Sequence, residues 1–283
     1  MKTILFAADF SDASKDALVW AKMLAKQYGA NIVALHVQAI PVPDASMPVI
    51  GDLGLGTVAA DTAAVHHEQL NELADTLQTE GVSCRTDLRR GAINDTILAA
   101  ADEHKADLIV MGRSQMSGFF DRLMGTSATG VARFAHCPVL VVPTSEDDVT
   151  PSADLKTIVY SSPLEFDEEV VFGQVVALAR VFGASLRVLH VQAENQPNLT
   201  DDAEIISQLQ AVYGPEPLPV DTVKSNTVTG GIEKYLDKHP ADLLVMTTRE
   251  RDFLSGLLNP SLTGRMVVLS HIPLLVYQAK GDL

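Results

Sequence analysis

Cysteine is nearly absent: the 283 residues hold two, Cys84 and Cys137, too few and too far apart for a disulfide framework or a CxxC metal knuckle. A reducing, cytoplasmic setting is the expectation. Long apolar runs are missing too. The longest, such as residues 108–111 and 139–142, are strand-sized and fall far short of a bilayer span. The opening residues 1–8 carry one lysine and a short apolar run that Asp9 interrupts, which argues against a secretory leader. Basic charge is scarce, with 21 Lys and Arg against 36 Asp and Glu and a formal net charge of -15. Such a surface repels phosphate backbones and anionic lipid, so neither nucleic acid nor membrane is expected as a partner. Two catalytic signatures are also lacking: there is no GxxxxGK[ST] phosphate loop and no GxSxG nucleophile elbow. His66-His67-Glu68 does not read as a zinc site, because adjacent side chains point apart on a helix.

What is present is an internal repeat. Leu35-His36-Val37-Gln38-Ala39 recurs unchanged as Leu189-His190-Val191-Gln192-Ala193, an offset of 154. Lys2-Thr3-Ile4 and Gly29-Ala30 recur at the same offset. Further on the offset falls to 135, pairing residues 106–111 with 241–246 and 136–141 with 271–276. The second copy has therefore lost 19 residues, part of them from the Pro/Gly-rich stretch 40–57. Between the copies lies a polar, acidic stretch with a proline, TSEDDVTPSADL, the composition of a linker. The expected organisation is a first domain at 1–143, a linker at 144–155 and a second domain at 156–283.

Within one copy, residues 2–8 and 31–37 read as strands, the second rich in β-branched residues. Between them Ser11-Asp12-Ala13-Ser14 supplies helix-capping chemistry, Ala17, Ala21, Leu24 and Tyr28 recur at helical spacing, and Gly29 stops the helix. A second helix is expected from about Thr62 to Thr79 with Val65, Leu70, Leu73 and Leu77 on its buried side. A strand over 82–88, a helix over 94–105, a buried strand at 108–111, a helix over 126–135 and a last strand at 139–142 complete the copy. Strands apolar on both sides that alternate with helices predict a parallel sheet covered on both faces. Right-handed crossovers then give an α/β, doubly wound, Rossmann-like fold, five strands per copy in the order 3-2-1-4-5. Such sheets bind ligands beyond the carboxyl ends of strands, where the order reverses, here between the first and fourth.

The first strand ends in Ala7-Ala8-Asp9-Phe10-Ser11, and the fourth in Met111-Gly112-Arg113-Ser114-Gln115. A helix opens after them at Gly125-Thr126-Ser127-Ala128, where free N–H groups and the helix dipole favour an anion. Asp9 is placed to accept from a ribose hydroxyl or an adenine amine. Gly112 is expected to let a ligand approach the backbone.

Residues 112–126 resemble the signature of the universal stress protein family: a glycine, two residues, a glycine, nine residues, then glycine with serine or threonine. Gln115 stands in place of the middle glycine. The first-strand tip and His136-Cys137-Pro138-Val139-Leu140-Val141-Val142 are similar to the family's as well. The resemblance implies ATP binding with little or no turnover, with Mg²⁺ as the companion ion and AMP or ADP as other occupants. It nominates Asp9, Val37, Met111, Gly112, Gln115, Gly125, Thr126, Ser127 and Ala128. It also implies pairing through the last strand, which a tandem chain satisfies between its own copies, and a homodimer of such chains is the expected assembly. In the second copy Pro163, Thr247, Glu250, Pro260 and Ser261 stand where Asp9, Gly112, Gln115, Gly125 and Thr126 stand in the first. Pro260 removes an N–H donor and Glu250 adds a negative charge, so that copy is expected not to bind nucleotide. The leading expectation is a cytoplasmic stress-response regulator that binds ATP in its first domain, is not an enzyme and acts on a protein partner. A nucleotide-free interaction scaffold and a slow ATPase or hydrolase are the alternatives.

Overall fold

The computed structural model describes residues 1–39, 55–113, 127–145, 153–164, 168–194, 202–248 and 262–278, with backbone only at 55–61. The first copy runs β1 (Thr3–Ala7), α1 (Asp12–Tyr28), β2 (Asn31–Ala39), α2 (Leu55–Thr79), β3 (Cys84–Gly91), α3 (Ile93–Glu103), β4 (Leu108–Arg113), α4 (Ser127–Phe134) and β5 (Val139–Pro143). The second repeats the pattern as β6 (Thr157–Ser162), α5 (Glu169–Phe182), β7 (Ser185–Ala193), α6 (Asp202–Tyr213), β8 (Val220–Ser225), α7 (Val228–Leu236), β9 (Leu243–Thr248), α8 (Leu262–Leu269) and β10 (Leu274–Gln278). Among the described residues no helix is long and apolar enough to cross a membrane.

Local chemistry accounts for the elements. Ser11 caps α1 by accepting from the Ser14 N–H, and Gly29 ends it in the left-handed region at φ 62°, which a Cβ would penalise. Gly183 ends α5 at the same φ. Ala13, Ala17, Trp20, Ala21 and Leu24 form the buried stripe of α1. In β1, Ile4, Phe6 and the following Ala8 join the core under α1 and α2, while Leu5 joins the core under α3 and α4. This two-sided burial is why the strands are continuous apolar runs.

Ten strands form one sheet in the order β3-β2-β1-β4-β5-β10-β9-β6-β7-β8. Each half has the expected doubly wound order and is parallel throughout. The halves meet antiparallel, with Leu140 opposite Leu275, Val139 opposite Val276 and Val141 opposite Leu274. Leu140 and Leu275 are repeat equivalents, so a pseudo-twofold axis passes between them. The same axis brings together Tyr28 and Phe182, also equivalents, whose rings meet edge-on at 6.3 Å.

Two expectations about α2 are corrected. The helix begins at Leu55, not near Thr62, so it takes in residues assigned to the preceding loop. Val65 is 52% exposed, whereas Leu70, Ala74 and Leu77 are buried. Val65 lies five residues before Leu70, about 140° around the helix from it, and so off the buried stripe.

Candidate functional site

The strand order reverses between β1 and β4, whose carboxyl ends pair Ala7 with Met111. Residues of both ends and of β2 and α4 share the sheet face under α3 and α4. Met111 and Ala128 are buried there, and Val37 and Ala7 pack half-buried against the same cluster. Ser127 opens α4 half-buried at the same end. Four of the nine nominated residues thus line one apolar wall and the helix start beside it. Gln115, Gly125 and Thr126, with Glu250, Pro260 and Ser261 of the second copy, lie outside the described residues.

Asp9 stands exposed just past β1, on a turn held from several sides. Its Oδ1 accepts from the Ser11 N–H at 3.0 Å and the Ser11 hydroxyl at 2.5 Å, and its own N–H donates to Ser14 Oγ at 3.3 Å. Phe10 adopts φ 62°, a left-handed conformation that costs a side-chain-bearing residue ~1 kcal/mol or more. The neighbours that hold it are histidines. Buried His36 donates from Nδ1 to the Ala8 carbonyl at 2.7 Å, and its ring lies 5.0 Å from that of Phe10. The ring of His66 lies 4.2 Å from His36 and 5.9 Å from Phe10, and its Nδ1 accepts from Gln38 at 3.1 Å. Burial, then the neighbouring His36, holds His66 below the usual histidine range.

Gly112 meets protein backbone, a demand beyond the ligand approach expected of it. A Cβ there would lie 2.4 Å from both the carbonyl carbon and oxygen of Ala13 and 2.7 Å from the Ser14 nitrogen. The backbone that approaches Gly112 is therefore the first turn of α1, on the opposite face from the apolar wall. Sequence reasoning also passed over Asn94. It sits in the first turn of α3, its buried Oδ1 has no hydrogen-bond partner among the described residues, and its amide fills the space above Gly130 of α4.

The second copy keeps the turn and changes its contents. Leu164, the equivalent of Phe10, is also left-handed at φ 52°, and His190 donates to the Ser162 carbonyl at 3.2 Å as His36 does to Ala8. Pro163 replaces Asp9. Thr247 stands in the place of Gly112, and α5 begins three residues later in the repeat than α1. A buried polar group lies beside it: Tyr160 OH is 3.3 Å from Thr247 Oγ1, and Ser162 donates to Glu168 at 2.5 Å. The signal that would have found the turn residues in the sequence is the repeat itself, since His36 and His190 are carried in an identical pentapeptide.

Two tandem α/β halves, each with its strand order reversing beside its first strand, define the class. The universal stress protein family model matches residues 1–143 and 167–278, and the chain belongs to that family. Universal stress protein Rv2624c of Mycobacterium tuberculosis is 25% identical over 92% of this chain and 91% of its own. Universal stress protein MJ0531 of Methanocaldococcus jannaschii is 33% identical over 50% of this chain and 81% of its own. In three dimensions the chain is similar to a universal stress protein from Archaeoglobus fulgidus, with a TM-score of 0.71 at 19% identity over 99% of this chain and 97% of the other.

Proposed function

We propose that the chain is a stress-response regulator that binds one adenine nucleotide, ATP with Mg²⁺ foremost, in its first copy and turns it over slowly or not at all. The observation that carries this reading is the shared wall of Val37, Met111 and Ala128 beside the start of α4. An apolar wall suits a purine face, and the Asp9 carboxylate is an acceptor for an amine or for ribose hydroxyls. Phosphates fit the opening turn of α4, where Ser127 adds a hydroxyl to the positive end of the helix dipole. Mg²⁺ would neutralise part of the phosphate charge that an acidic chain otherwise repels. No residue is assigned as a catalytic base. The second copy is read as nucleotide-free, because Pro163 removes the carboxylate acceptor and Thr263 replaces Ala128 on the wall. Cytoplasmic location, association of two chains and a protein partner belong to the same reading.

The test is to denature the purified protein, identify any released nucleotide by mass spectrometry, and titrate the emptied protein with Mg-ATP. About one equivalent per chain supports the reading, and Asp9→Ala is expected to weaken affinity about tenfold or more, as for a hydrogen bond to a charged group. Two equivalents would overturn the inert second copy. No uptake of Mg-ATP, AMP or ADP would leave the scaffold as the better account.

A further inference from the structure

The glycine motif runs in sequence between β4 and α4, and each of these elements is bonded to the second copy. Arg113 ends β4 two residues after Met111 and so on the same face of the sheet. Its side chain is buried and crosses the domain boundary, donating from Nη2 to the Ser270 carbonyl at 2.6 Å. Ser270 follows the last turn of α8, as its N–H donates to the Met266 carbonyl at 2.9 Å. A guanidinium therefore caps the negative end of that helix. The backbone of Arg113 is held too, its carbonyl accepting from the Thr144 N–H at 3.1 Å. From the other side, Gln278 at the end of β10 donates to the Ala132 carbonyl of α4 at 2.9 Å. The helices α4 and α8 also pack against each other across the axis.

The two bonds are not related to each other by the pseudo-twofold axis. Thr248 stands at the repeat position of Arg113, and Pro143 at that of Gln278. A threonine lacks the reach of a guanidinium and a proline side chain has no donor, so the mirror-image bonds cannot form. Each copy thus sends one long donor across the axis, Arg113 of β4 to the end of α8 and Gln278 of β10 to α4, so both elements that flank the glycine motif in sequence are tied to the second copy.

We propose that the degenerate second copy is a brace. Through Arg113 and Gln278 it holds β4 and α4 of the first copy at the spacing the nucleotide site needs, without touching nucleotide itself. Arg113 and Gln278 are positioning residues, and only the consequence for affinity rests on the nucleotide reading above.

The experiment is hydrogen exchange, read by mass spectrometry, on the full chain without nucleotide, followed by Mg-ATP titration. Arg113→Met keeps apolar bulk and removes the donors; Gln278→Glu keeps shape and removes the donor. Each is expected to speed exchange about tenfold in peptides covering 127–134 and 262–269, with β6, β7 and β8 unchanged, as for loss of one buried hydrogen bond. The double variant is expected to bind Mg-ATP about tenfold more weakly, and Arg113→Lys, which still donates, to stay near wild type. Unchanged exchange overturns the brace. So does an increase spread evenly over both copies, or faster exchange with unaltered Mg-ATP affinity. Should the wild type take up no Mg-ATP, the nucleotide reading falls, while the brace still stands or falls on the exchange data.

Discussion

Replacing Gly112 by alanine isolates the reason for that glycine. The new Cβ would stand 2.4 Å from the Ala13 carbonyl group and 2.7 Å from the Ser14 nitrogen, all backbone atoms of the first turn of α1. Ordinary contact needs about 3.4 Å or more, so α1 and β4 must separate by roughly 1 Å. That turn cannot yield cheaply. Ala13 and Ser14 are buried, and Ser11, Asp9 and Ser14 bond one another in the cap. Overpacking of a tight core costs ~1–3 kcal/mol and loss of a helix cap about 1 kcal/mol, so Gly112→Ala should destabilise by about 3 kcal/mol. For a protein of this size that lowers the midpoint by roughly 6–12 °C. The assay is urea and thermal unfolding of nucleotide-free protein, with Thr247→Ala as the companion variant. Thr247 already has a Cβ in the equivalent place, and its loss should cost about 1 kcal/mol or less. If Gly112→Ala unfolds within about 1 kcal/mol of wild type and loses only nucleotide affinity, the packing explanation is wrong and the glycine serves the ligand.

The two thiols and the His66 ring give further checks. Burial pushes Cys84 up to about 11, and burial with Asp102 and Asp107 pushes Cys137 up to about 12. Neither should react with a disulfide reagent at pH 8 until the protein is unfolded, and one thiol titrating in the native state would refute this. His66 is held below the histidine range when folded, so between its folded pKa and about 6.5 the unfolded chain binds more protons. Its contribution to stability is present above that window and is lost as pH falls through it. Unfolding midpoints between pH 7 and 5 should fall less steeply in His66→Gln than in wild type, and identical slopes would rule the effect out.

How much of this was legible in the sequence differs between levels. The repeated pentapeptide became β2 and β7, the cap at Ser11 and the stop at Gly29 bound α1, and the doubly wound order follows from alternation of buried strands with helices. These are properties of single elements and of the way strands cross over. What was hidden depends on which neighbour an element meets. Val65 satisfied an apolar pattern but lies off the stripe that the sheet covers. Gly112 was read for what a ligand needs, and the contact with the first turn of α1 was not foreseen. Nothing in Phe10 announces a left-handed backbone, since aromatic residues have no preference for it; only the histidine packed beside it explains the turn. Of the nominated site, Val37, Met111 and Ala128 converge on one wall, Ser127 stands at the helix start beside it and Asp9 at the adjacent strand tip. Arg113, by contrast, reads as a strand-end cation until the second copy supplies the carbonyl it caps.

The antiparallel seam of Val139, Leu140 and Val141 with Leu274, Leu275 and Val276 is covalently tethered. When two separate chains meet along such a seam, the fraction joined falls as the protein is diluted. Here each half meets the other at an effective concentration in the millimolar range, whatever the abundance of the protein in the cell. The seam therefore persists when copies are few, for instance just after synthesis begins. It also lets the two sides of the interface vary independently, because a substitution in one half is not repeated across the axis. Arg113 opposite a helix end and Thr248 at the equivalent position are a difference that a homodimer of single copies could not hold.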